Sequence, residues 1–197
     1  MRLTDVFINS SISGIVHLCV DLQKSYIGEN EKSIERLITK TVAPQLMESG
    51  IPTYWIYYEV LTPSAFSIGG YKAKPQSSRE DLSTAIGRRK GYLYLPKFET
   101  SAMSSEEVQN ALNKNHKKIL IISGLTYGVC IADTIIDAIK QGFKVILMVD
   151  ATDYDDCFDV LETQLKKLGA MFSKSSEVLE AVNEAFPIEA RLPALSL

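Results

Sequence analysis

A chain of 197 residues, 46% apolar and 23% charged, is long enough to bury the core of one domain, and its formal charge of −3 with no basic stripe argues against a nucleic-acid partner. Its three cysteines form no CxxC pair, no secretory signal is read at the N-terminus, and no apolar run nears the roughly 20 residues of a membrane span; a reducing cytoplasm is expected and a membrane partner is not. With only two histidines, His17 and His116, a zinc site of the usual kind is not expected either.

Residues 1–13 carry no strong pattern and are expected as a surface arm. GIVHLCV (Gly14 to Val20) reads as a buried strand ending at Asp21, which serves either a turn or cap or a site. His17 and Cys19 read as core residues. Glu31 to Ser49 has the apolar spacing of an amphipathic helix, interrupted by Pro44 and closed by Gly50. TYWIYYEV (Thr53 to Val60) is the second strand, completing a βαβ unit with a right-handed crossover. The pattern is then lost from Leu61 to Gly91, a stretch long enough to suggest a functional lid. A short helix is expected there around Arg79 to Ile86, and a solvated turn at Arg88, Arg89 and Lys90. YLYLPK (Tyr92 to Lys97) is a short strand whose terminal lysine, taken alone, is a loop charge.

Ser104 and Glu107 have capping-box spacing and predict a helix to about Asn115. Ile119 to Ile122 is a buried strand that stops at Ser123-Gly124, and a helical pattern runs from near Gly128 to Gly142. Cys130 therefore falls in the first turn of a helix at the carboxyl end of a strand. Free N–H groups and the helix dipole there stabilise a thiolate and can donate to an oxyanion. A cysteine that only packs is the competing reading. Phe143 to Ala151 is a strand carrying Asp150 near its end, Asp156 to Leu168 a helix, AMFSK a last strand and Ser175 to Asn183 a last helix. Cys157 is either a surface thiol or a second reactive one. The tail, 184–197, is read as docked on a neighbouring subunit or loosely ordered. Such alternation predicts an α/β fold: a three-layer α-β-α arrangement with a mostly parallel six-stranded sheet, and Asp21, Lys97 and Cys130 at its carboxyl edge.

VDLQKSY (from Val20), KFETSAM (from Lys97), GLTYGVCIADTIIDA (from Gly124), VILMVDATDYDD and GAMFSKSSEVLEAV together resemble the isochorismatase-like cysteine hydrolase superfamily over roughly Gly14 to Val182. The resemblance implies a catalytic triad of Asp21, Lys97 and Cys130. It also implies an oxyanion hole from the backbone N–H groups of Thr126 and Cys130, and a cis peptide bond at Leu125–Thr126. Gln23, Tyr26, Phe66 and Tyr127 are the expected substrate contacts, while Thr134 and Asp137 are expected to be structural. Tyr127 and Gly128 depart from the family pattern, which has a threonine and then a polar residue. The Asp-x-His pair that holds a metal in nicotinamidases is missing after the second strand, so no metal and no cofactor are expected. Retention of Cys130 favours amide chemistry over the vinyl-ether hydrolysis of true isochorismatases. The implied protein is a metal-independent cysteine amidohydrolase acting on a small carboxamide, carbamoyl or ureido compound through a thioester, as a homo-oligomer (dimer or tetramer). The alternatives are a catalytically silent binding protein on the same fold and a hydrolase of a non-amide bond.

Overall fold

A computed structural model describes residues 2–59, 67–68, 71–72, 79–86, 92–154 and 159–187. Its strands are β1 (Ile15–Val20), β2 (Thr53–Tyr58), β3 (Ser67–Ile68), β4 (Tyr71–Lys72), β5 (Leu93–Lys97), β6 (Ile119–Gly124), β7 (Lys144–Thr152) and β8 (Met171–Ser173). Six of them form one sheet in the order β5-β2-β1-β6-β7-β8, every pair parallel, while β3 and β4 pair only with each other. Strand order reverses between β1 and β6, and the carboxyl end of that junction is the crevice where open α/β sheets hold ligands.

The helices are α1 (Leu3–Ile8), α2 (Glu31–Leu37), α3 (Ala43–Glu48), α4 (Glu106–Lys114), α5 (Ala132–Lys140), α6 (Asp159–Leu168) and α7 (Ser175–Ala185). Alternate residues of the central strands feed two separate cores. Ile15, Cys19, Trp55, Ile121 and Met148 pack under α1, α2, α3 and α7. Val16, Leu18, Ile56, Ile122 and Leu147 pack under α4, α5 and α6. This is the expected three-layer architecture.

Several elements differ in detail from the sequence reading. The N-terminal segment is no surface arm: α1 buries Val6 and Phe7 against the first core, and Thr4 donates to Glu184 of α7 at 3.0 Å. Pro44 does not end its helix outright; a wide π-type turn, Ile38–Val42, absorbs the missing donor and α3 restarts with the proline in its first turn. The cap of α4 is Ser105 rather than Ser104, its hydroxyl accepting from Val108 N–H at 3.4 Å. Only one helical turn, Arg79–Asp81, forms in the segment read as a short helix. Phe66, Arg88, Arg89, Lys90, Cys157 and the tail beyond residue 187 lie outside the described residues.

His17 forms a buried rung across three strands, its Nδ1 3.1 Å from Thr53 Oγ1 on β2 and its Nε2 2.7 Å from Ser123 Oγ on β6. Burial lowers its pKa to about 3, so the folded chain holds it neutral. Between roughly pH 6.5 and 3 the unfolded chain binds a proton here that the folded chain refuses, so this residue makes stability fall as pH falls, by up to about 1.4 kcal/mol per pH unit. Urea unfolding from pH 7 to 4 should show a shallower slope for His17→Gln than for the wild type; parallel slopes would remove His17 as the source.

Candidate active site

Asp21 immediately follows β1, with φ +53°, a left-handed conformation that aspartate tolerates better than most residues. Its N–H still donates to Ile56 of β2 at 2.8 Å, while its carbonyl accepts from Gln23 N–H at 2.7 Å. The turn aims the carboxylate into the sheet edge, where it is 2% exposed. Lys97, the last residue of β5 and fully buried, places Nζ 2.8 Å from Asp21 Oδ2. The ammonium also donates to the carbonyls of Glu99 at 3.1 Å and Thr100 at 2.9 Å. Three acceptors therefore take its three protons, which fixes Lys97 as a cation.

Cys130 lies in a wide turn, Tyr127–Ile131, that links β6 to α5. Gly124 makes the approach possible: at φ +112° a Cβ would sit 2.0 Å from the carbonyl oxygen of Val20. In its absence β6 lies tight on the end of β1, and Leu125 N–H donates to that carbonyl at 2.8 Å. The Leu125–Thr126 peptide is cis, as the resemblance implied. The Thr126 N–H that follows donates to no acceptor among the described residues. Thr134 ties the turn to the lysine loop, donating to Cys130 O at 2.6 Å and accepting from Ala102 N–H at 2.9 Å. Asp137 makes only an exposed pair with Lys140 at 3.3 Å, on the surface of α5.

The thiol of Cys130 interacts with both Asp21 and Lys97, so the three residues meet at one point of the carboxyl edge. Burial and the Asp21 carboxylate outweigh the Lys97 ammonium and push the thiol up to about 12. Burial and the carboxylate thus oppose the thiolate that N–H groups near a helix start favour. Burial likewise raises the Asp21 carboxyl above its ordinary range despite the ion pair, and Oδ1 has no hydrogen-bond partner among the described residues. Burial opposes the charge of Lys97, but the Asp21 carboxylate and Cys130 raise its pKa on balance.

Two of the expected substrate contacts, Tyr127 and Gln23, are buried among protein partners. The Tyr127 ring is buried in the second core, edge-on to Tyr154 at 5.0 Å and near Phe172 at 6.5 Å, because the wide turn rotates it inward. Gln23 is fully buried, with its amide spanning the backbone of Tyr58: Oε1 accepts from Tyr58 N–H at 2.7 Å and Nε2 donates to Tyr58 O at 3.1 Å. Tyr26 is half-buried against the first core. No motif marked Tyr58, whose ring centroid lies 5.0 Å from Lys97 Nζ; an aromatic at a strand end gives no signal by itself.

The isochorismatase domain model matches residues 16–174. The fold is similar to that of a cysteine hydrolase from Pseudomonas syringae pv. phaseolicola, with a TM-score of 0.71 at 17% identity over 90% of this chain and 96% of that one. A nicotinamidase from Bacillus subtilis superposes with a TM-score of 0.64 at 18% identity, covering 82% of this chain and 99% of its own. An N-carbamoylsarcosine amidase from Thermoplasma acidophilum gives 0.69 at 17% identity over 82% and 96% of the two chains. No curated protein matches. The matched span covers most of the sequence, Asp21, Lys97 and Cys130 among its residues, and the chain belongs to the isochorismatase domain family.

Proposed function

We propose that the chain is a cysteine hydrolase that cleaves a C–N bond of a small carboxamide, carbamoyl or ureido compound, with Cys130 as nucleophile, Asp21 as proton carrier and Lys97 as fixed counter-charge. The observation that carries this reading is the buried Asp21–Lys97 pair at 2.8 Å with a thiol beside it and one carboxylate oxygen left unpaired. An unsatisfied buried acceptor next to a protonated thiol is suited to receive its proton.

In the proposed course, Asp21 takes the thiol proton as the sulfur attacks the carbonyl carbon, so no standing thiolate is needed. The N–H groups of Thr126 and Cys130 hold the developing oxyanion. Asp21 then hands the proton to the departing nitrogen as the C–N bond breaks, leaving a thioester. A water that gives its proton to the same carboxylate attacks the thioester carbon. The C–S bond breaks, the acid product leaves, and the proton returns to sulfur. The N-carbamoylsarcosine amidase and nicotinamidase among the similar structures support an amide-type substrate.

A panel of small amides, N-carbamoyl and ureido compounds, followed by ammonia release, tests this directly. Cys130→Ala should reduce turnover of any hit by at least about 10³-fold and leave the fold intact. Asp21→Asn should reduce it by about 10²–10⁴-fold. A folded protein silent across the panel would transfer the conclusion to a binding role, and full activity in Cys130→Ala would end the thioester mechanism.

A further inference from the structure

The sheet order sets Lys97 an unusual task. It ends β5, its carboxylate partner follows β1, and β2 runs between them. Neighbouring strands stand about 4.8 Å apart, so the Lys97 and Asp21 side chains together have to bridge roughly 10 Å over the end of β2. Tyr58 occupies that end and is the direct register partner of Lys97. The ammonium comes to rest 5.0 Å from the centre of the Tyr58 ring, within the range of about 6 Å over which a ring face attracts a cation. Oxygen atoms of Asp21, Glu99 and Thr100 accept from the ammonium, the Cys130 thiol also interacts with it, and the aromatic ring adds a contact that is not a hydrogen bond.

Tyr58 is itself held in place. Both its N–H and its carbonyl are engaged by the Gln23 amide, and Gln23 lies two residues beyond Asp21. The contacts close a circuit from Asp21 through Gln23, Tyr58 and Lys97 back to Asp21. A shift of any member is resisted by the other three.

We propose that Tyr58 is a positioning residue for Lys97, its ring supporting the lysine as it crosses β2 and stabilising the ammonium that faces Asp21 and Cys130. Among the described residues, the charged and titratable groups around that ammonium are Asp21 from the turn after β1, Cys130 from the turn before α5 and Glu99 from the loop after β5. The inference rests on the proposed roles of the three reacting residues, but its test needs no substrate.

Alkylation of Cys130 by iodoacetamide, followed from pH 7 to 10 with Cys19 and Cys157 replaced by alanine, reads the electrostatic influence of Lys97 on the sulfur. Tyr58→Leu removes the ring and keeps an apolar side chain. It should slow alkylation by about 2- to 30-fold at each pH, the range of a cation–π contact of about 0.5–2 kcal/mol at 1.4 kcal/mol per tenfold. Tyr58→Phe keeps the ring and should restore the wild-type rate and pH dependence. Phenylalanines of increasing fluorination at this position preserve shape while draining the ring face of negative charge, so alkylation should slow stepwise along that series, and this second measurement decides the matter if Tyr58→Leu does not fold. A wild-type rate in folded Tyr58→Leu, a flat fluorination series, or a Tyr58→Phe as slow as Tyr58→Leu would each overturn the assignment. Failure of the substrate panel with these alkylation shifts intact would count against the hydrolase reading alone.

Discussion

Lys97→Met should lose about 3–5 kcal/mol of stability together with all turnover, because it strands the buried Asp21 carboxylate without its cation. The wild-type pair is wholly desolvated, and no solvent can replace the ammonium at 2.8 Å. The size of the loss should depend on pH in a definite direction. An unpaired buried carboxyl has a folded pKa well above its unfolded value, so the variant takes up a proton on folding and regains stability relative to the wild type as pH falls. Adding Asp21→Asn removes the stranded charge and should recover most of the deficit, with no recovery of turnover. Denaturant unfolding of the single and double variants at pH 7 and 5 measures each step. A single variant as stable as the double one at pH 7 would mean that the pair is not the buried unit described above.

Gly124→Ala is expected to cost about 3 kcal/mol or more and to disable whatever fraction folds. The added methyl would lie 2.0 Å from Val20 O and 2.7 Å from Val20 N, both backbone atoms of a central strand, so no rotamer change relieves the clash. Its residue also has φ +112°, which penalises any side chain. Relief requires β6 to move off β1, and that separates the Leu125–Thr126 segment from the turn that carries Asp21. Folded Gly124→Ala should therefore show both a lower denaturation midpoint and an altered rate of Cys130 alkylation. Wild-type values of both would show that the two strands are free to part at this end.

The three layers, the parallel sheet and the placing of Asp21, Lys97 and Cys130 at one edge of it were legible in the chain, because apolar runs ending in Asp21, Lys97 and Gly124 mark the carboxyl edge of a parallel sheet. Where the reading failed, the cause lies in packing between distant segments. Helix α1 spans six residues, too few to display a period, and Val6 and Phe7 are buried by α7 at the other end of the chain. Tyr127 resembles a pocket aromatic until the wide turn swings it toward Tyr154 and Phe172. That the Gln23 amide bonds to the backbone of Tyr58 likewise depends on a strand more than thirty residues away in the chain. The balance of forces on Cys130 was only half legible: a helix start favours a thiolate locally, whereas burial and the nearby carboxylate, invisible along the chain, push the thiol pKa up.

Each reacting group hangs from a different strand, and the strand bearing the acid is wedged between β2 and β6, which are made later. During synthesis Asp21 leaves the ribosome long before Lys97 and Cys130 exist, so the three side chains can come together only late in the making of the chain. The proposed site is therefore complete only when lateral docking of the strands on both sides of β1 has finished.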